Sequence, residues 1–165
     1  MSPADASARR PAGSLISGSP PTTCSRSAVR SRLIFGEDER VGRWVVKRLG
    51  YSLGGGPYAA IGLERDELVG GVVYTNYAGG GSIAASIVGI GTGWITRPFI
   101  RAAFAYPFLQ LGVRRLSVYV AERNRISQGF VERLGFTLES VMERAMPDDD
   151  MRVYRMFSED CTWLR

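Results

Sequence analysis

The sequence predicts an α+β fold, a mixed sandwich in which helices pack on one sheet. Two observations predict it. Strand and helix periodicities alternate in the order β-α-β-β-β-α-β-α-β-β, so that antiparallel meanders are interrupted by helices. Turn-forming residues, chiefly Gly, Pro and Asp, punctuate those switches, and no internal repeat is visible. The chain has 165 residues, of which 45% are hydrophobic and 22% charged, enough for one domain with a real core.

Charge and composition remove several classes of function. Residues 1–32 carry Arg9, Arg10, Arg26, Arg30 and Arg32 against Asp5 alone, and so hold most of the net charge of +5. That segment is read as a disordered basic leader, because it has too little apolar surface to offset the entropy of ordering. The domain proper, residues 33–165, is close to neutral, which argues against a nucleic-acid surface. No apolar stretch approaches the ~20 residues of a membrane span. Cys24 and Cys161 lie near opposite ends with no metal-ligand spacing, so a reducing cytoplasm is expected and no disulfide or metal site. The chain has no histidine, which excludes His-based triads and histidine acid–base chemistry.

Order begins at Leu33, Ile34 and Phe35, a short strand. Glu37, Asp38 and Glu39 then open a helix with acids in its first turn, where the dipole favours them. Val41, Trp44, Val45 and Leu49 form its apolar face, and Gly50 ends it. Tyr58 to Leu63 and Leu68 to Tyr77 read as two strands joined by a tight turn at Arg65, Asp66 and Glu67. Ser82 to Val88 is the next strand, running into a Gly-rich corner at Gly89, Gly91 and Gly93. A helix over 97–112 follows, with Thr96 as N-cap, Pro98 in its first turn and Pro107 expected to kink it. The strand 115–120 should turn Leu116, Val118 and Val120 to the core, with Ser117 and Tyr119 opposite. A helix at 125–134 and strands Thr137 to Glu143 and Arg152 to Phe157 complete the domain, with a turn at 146–150. Trp163 and Leu164 pack against its end or form the seam of a homodimer.

Strand, Gly-rich turn, helix, strand, helix is an order that holds an anionic ligand at a helix N-terminus. The stretch 82–136, with Asn124 and Ser127 opening a helix that ends on Glu132-Arg133-Leu134-Gly135-Phe136, resembles the acyl-CoA-binding core of the GNAT N-acetyltransferases. It is similar in particular to small acetyltransferase-like proteins of bacteria and their phages. The resemblance implies a mostly antiparallel sheet with a splayed parallel strand pair, flanked by helices. It implies acetyl-CoA as cosubstrate, held by the amides of Gly93, Trp94, Ile95, Thr96 and Arg97, by Ile87 and Val88 in the splayed strand, and by Asn124 and Ser127. Arg97 or Arg101 would add a phosphate contact. The Gly-rich corner departs from the family pattern: its basic lead residue is missing, and Trp94 and Ile95 stand where small residues are common, narrowing the room for phosphate.

By the same resemblance the reaction is acetyl transfer to an amine of a small molecule or protein, made directly within a ternary complex. The family's proton-donating Tyr in the closing helix corresponds to Val131 here, so Tyr119 or Tyr106 would have to serve. Glu122 is the best-placed general base, ahead of Glu139 and Glu143. Asp148, Asp149 and Asp150 form either a solvated turn or a lure for a cationic amine. Two other readings remain: a binding or structural module that keeps the fold without catalysis, and a nucleic-acid-modifying relative.

Overall fold

The structure is a computed structural model and describes residues 30–50, 52 and 54–165; the expected disorder of the leader and Cys24 therefore lie outside the described residues, apart from 30–32. The elements follow the expected order: β1 (Arg32–Ile34), α1 (Asp38–Leu49), β2 (Ala59–Glu64), β3 (Leu68–Ala78), β4 (Ser82–Gly89), α2 (Arg97–Ala105), β5 (Arg115–Ala121), α3 (Arg125–Leu134), β6 (Thr137–Met146) and β7 (Asp149–Phe157). They form one sheet in the order β1-β2-β3-β4-β5-β7-β6. Every pairing is antiparallel except β4 with β5, the pair that the α2 crossover joins.

Alternation along the strands divides the core between the two faces. Val73 faces α1, where Ile34, Val41, Val45, Ala60 and Leu68 are buried with it. Val72 and Tyr74 face the other way, into the larger cluster under α2 and α3. Tyr74 is fully buried, and its hydroxyl donates to the Ala103 carbonyl at 2.6 Å, fixing α2 to the sheet. The C-terminal segment closes the same cluster: Trp163 Nε1 donates to the Leu134 carbonyl at 3.0 Å and its ring stacks on Phe104.

Two lengths differ from expectation. The helix expected to reach 112 ends at Ala105 and passes into a π-helical turn, Tyr106–Gln110. Pro107 lacks an N–H and crowds the preceding turn, and the chain widens instead of continuing, so that the Leu111 amide reaches back to the Tyr106 carbonyl at 3.0 Å. At the other end of the chain β6 and β7 run further than expected, leaving only Pro147 and Asp148 between them.

Much of the acidic charge is spent bracing the sheet. Glu64 is held by Arg32 and Arg40, Glu139 by Arg115 and Arg155, and Glu122 by Arg152 and Arg125. Hydrogen bonds from Arg32, Arg115 and Arg152 hold the carboxyls of Glu64, Glu139 and Glu122 below their ordinary value of 4.5. A carboxyl whose pKa is lowered by folding adds stability that is present above its unfolded pKa and lost as pH falls through the folded one. With no histidine in the chain, the melting temperature should be flat between about pH 5.5 and 7.5 and should fall as pH drops below 4.5. A marked loss between pH 7 and 5.5, followed by circular dichroism, would contradict this assignment.

Candidate functional site

The site is built from an interruption in the sheet. β4 pairs with β5 from Ser82↔Arg115 to Ala85↔Val118 and no further. Beyond that point β4 stays with β3 as far as Gly89↔Gly70, and β5 stays with β7 as far as Ala121↔Met151. The two strands fork, leaving residues 86–89 and 119–121 with open inner edges. The Ile90 amide donates to the Val69 carbonyl at 2.8 Å, which fixes the alternation of the ladder. Ser86 and Val88 turn their backbone groups to β3, whereas Ile87 and Gly89 turn theirs into the fork. Of the expected pair Ile87 and Val88, then, Ile87 offers its backbone and Val88 only its side chain. On β5 the Glu122 amide bonded to Asp150 sets the same alternation, which turns Tyr119 and Ala121 inward; the Ala121 carbonyl is already taken by the Asn124 amide at 2.9 Å.

At the open end of β4 the Gly-rich corner carries Trp94. A Cβ on Gly89 would stand 2.0 Å from the Trp94 ring, and one on Gly70 would stand 3.2 Å from the Trp94 Cβ. These two glycines, paired across β3 and β4, are the seat of the indole, which also packs against Phe99 and Phe130 at centroid distances of 6.1 and 5.2 Å. Trp94 is thus stored beneath the corner, only 7% exposed, while Ile95 stands half out of it.

The donor set also shifts. The Ile95 amide is bonded to the Thr92 carbonyl and the Thr96 amide to the Trp94 carbonyl. Among the described residues, the amides of Gly91, Thr92, Gly93, Trp94 and Arg97 have no such partner, which leaves unpaired N–H groups at the start of α2. Thr96 caps that helix, accepting from the Phe99 amide at 3.4 Å. Arg65 is the residue that sequence reasoning missed: its Nη2 donates to the Gly93 carbonyl at 2.9 Å, placing a guanidinium beside the corner whose own basic residue is lacking. Antiparallel β3 and β4 bring the β2–β3 turn to the end of β4, a register the local sequence does not announce.

Fork and corner open into one groove of about 610 Å³. Ile87, Val88, Trp94, Ile95 and Tyr119 line it, joined by Asn124 and Ser127 at the start of α3. Gly93, Thr96 and Arg97 support the corner without lining the groove. Asn124 caps α3, its Oδ1 accepting from the Ser127 amide at 3.1 Å. Arg48 and Arg133, also missed, add positive charge, and among the described residues no carboxylate lines the groove. Glu122 is not in it either. It forms ion pairs with Arg152 and Arg125. Tyr106 packs against Tyr74 at 4.9 Å, outside the groove. Two of the three acids of the turn are engaged, Asp149 with Arg123 at 3.0 Å and Asp150 with the Arg144 amide at 2.7 Å. Val131 is buried at the fork. Among the described residues no cluster of three His, Cys, Asp or Glu side chains is placed to hold a metal, and no helix is long and apolar enough to cross a membrane.

A seven-stranded sheet with one forked parallel pair, a Gly-rich corner and a helix crossing behind it defines the GNAT acyltransferase fold. Solved structures share it. A dodecameric spermidine N-acetyltransferase from Vibrio cholerae matches 78% of this chain and 94% of its own at 16% identity and a TM-score of 0.63. A GNAT-family acetyltransferase from Bacillus anthracis matches 71% and 72% at 17% identity and a TM-score of 0.53. No protein-family model matches the sequence, and no curated protein matches it significantly. The expected fold is the observed one.

If Gly89 and Gly70 seat the indole, Gly89→Ala should expel Trp94 from beneath the corner. The expected cost is about 1–3 kcal/mol, with a red shift of tryptophan emission. An unchanged melting temperature and spectrum would show that the seat is not needed.

Proposed function

We propose that the protein is an acyl-CoA-dependent N-acyltransferase that moves an acyl group of the acetyl type directly to an amine of a small molecule or protein. The open inner edge of β4 carries the reading. An extended amide-containing arm such as pantetheine completes a sheet edge as a missing strand would, and here Ile87 and Gly89 present the matching donors and acceptors. The groove also fits the charge of coenzyme A: unpaired amides at the start of α2 would receive a pyrophosphate, Arg65, Arg48 and Arg133 add cations, and among the described residues no acid lines it.

Acetyl-CoA would supply a thioester, whose carbonyl carbon is open to attack by a neutral amine. The Ile87 amide, nearest the last β4–β5 pair, would donate to the thioester oxygen and stabilise charge developing there. Among the described residues no carboxylate or histidine lines the groove, so the amine would arrive unprotonated and lose its proton to water as the C–N bond forms. The C–S bond breaks with its electrons on sulfur, and Tyr119, beside the fork, is assigned the proton that the thiolate takes up. A covalent route through Cys161 does not suit the geometry: it is buried outside the groove, and burial pushes its thiol pKa up.

A second reading, a thioester-binding module without catalysis, is favoured by Val131 at the fork and by the engagement of Glu122 elsewhere. Calorimetry separates binding from its absence: acetyl-CoA should bind in the micromolar range and ATP should not, whereas a folded protein that ignores acetyl-CoA would sink both readings. Catalysis is tested by turnover with a panel of amines. Tyr119→Phe should lower kcat by about 100-fold with acetyl-CoA affinity unchanged, and an undiminished kcat would remove Tyr119 from the mechanism.

A further inference from the structure

The forked strands have an apolar cavity behind them that the reaction with acetyl groups leaves unused. Its volume is about 30 Å³. Four of its lining residues, Ala85, Ile87, Val118 and Val131, also line the groove. Ala85 and Val118 are the last β4–β5 pair, so the cavity adjoins the groove at the apex of the fork, where the reacting carbonyl would lie. Its back wall comes from α2 and β3. Among the described residues that line it, the one hydroxyl, on Tyr74, is already bonded to the Ala103 carbonyl, and none is charged.

Small side chains create this room. Ala85 on β4, Ala103 on α2 and the short Val131 on α3 face one another across it. An apolar void of this kind stays dry and takes apolar groups, because its walls gain the contacts they lack. One water-sized group needs roughly 10–15 Å³ by this measure, so the space matches about two methylene-sized groups beyond an acetyl.

We infer that the acyl donor is a short-chain, uncharged acyl-CoA of about four carbons, its alkyl tail seated between Ala85, Ala103 and Val131. The inference rests on the acyl-CoA reading and narrows it. Transfer is otherwise as before: the amine bonds to the acyl carbon, the C–S bond breaks, and coenzyme A leaves with the thiol proton.

The test is calorimetric titration of the full-length protein with coenzyme A, acetyl-CoA, butyryl-CoA and succinyl-CoA. Burying two more methylenes should tighten butyryl-CoA over acetyl-CoA about tenfold, whereas succinyl-CoA, with a carboxylate on a chain of the same length, should lose that gain. Ala103→Leu, which fills the cavity from α2 without lining the groove, should remove the butyryl preference and leave coenzyme A affinity unchanged. Ala103→Val does the same with less crowding if the larger residue impairs folding, and melting curves report that. Binding of coenzyme A with butyryl-CoA no tighter than acetyl-CoA overturns the inference and leaves the acyl-CoA reading standing. No binding of any of the four overturns both.

Discussion

The feature on which everything else depends is the unequal partnership of β4. On one side it is bonded to β3 along its length; on the other it keeps β5 for only the pairs from Ser82 to Ala85. Backbone N–H and C=O groups at Ile87 and Gly89 are therefore left without a strand to answer them, a costly state unless water or a ligand supplies partners. The chain arranges its surroundings to keep this edge open. Phe130 and Val131 of α3 lie along the fork, Asn124 turns β5 into α3 just beyond it, and the Trp94 indole, folded onto Gly89, fixes the corner where β4 leaves the sheet.

Charge is distributed to the same end. The carboxylates that might have stood in the groove are spent elsewhere: Glu122 across β5 and β7, Glu139 at the start of β5, and Asp149 at the hairpin tip. What remains around the groove is the cationic side of the ledger, Arg48, Arg133 and the Arg65 guanidinium, with the free amides of the corner. Such a surface suits a polyanion and leaves little for proton abstraction. Binding is thus better provided for than chemistry, and among the described residues Tyr119 is the one titratable side chain, arginines apart, that lines the groove.

Most of the fold was legible in the sequence because its signals are local. Apolar runs bounded by turn residues marked β2 to β4 and alternation marked β5, acids and a terminal Gly bracketed α1, and Thr96 and Asn124 cap their helices as their side chains suggest. Gly135 ends α3 at a φ of 104°, a conformation that other residues adopt only under strain. The groove residues were legible in part, through the same capping and strand signals. What escaped was everything set by tertiary register. Arg65 reaches the corner from a turn 28 residues away in sequence, and Glu122 is claimed by Arg152, 30 residues on. No local pattern carries those distances. The storage of Trp94 depends likewise on a cross-strand pair of glycines, each of which reads alone as a weak point in a strand.

Amide hydrogen exchange resolved to single residues tests the open edge most directly. Ser86 and Val88, bonded to β3, should be protected with or without ligand. Ile87 and Gly89 should exchange rapidly in the free protein and become protected when acetyl-CoA is added. Protection of Ile87 and Gly89 that is the same in both states would mean that the fork does not receive the ligand's backbone-like arm, and the account built on it would fail.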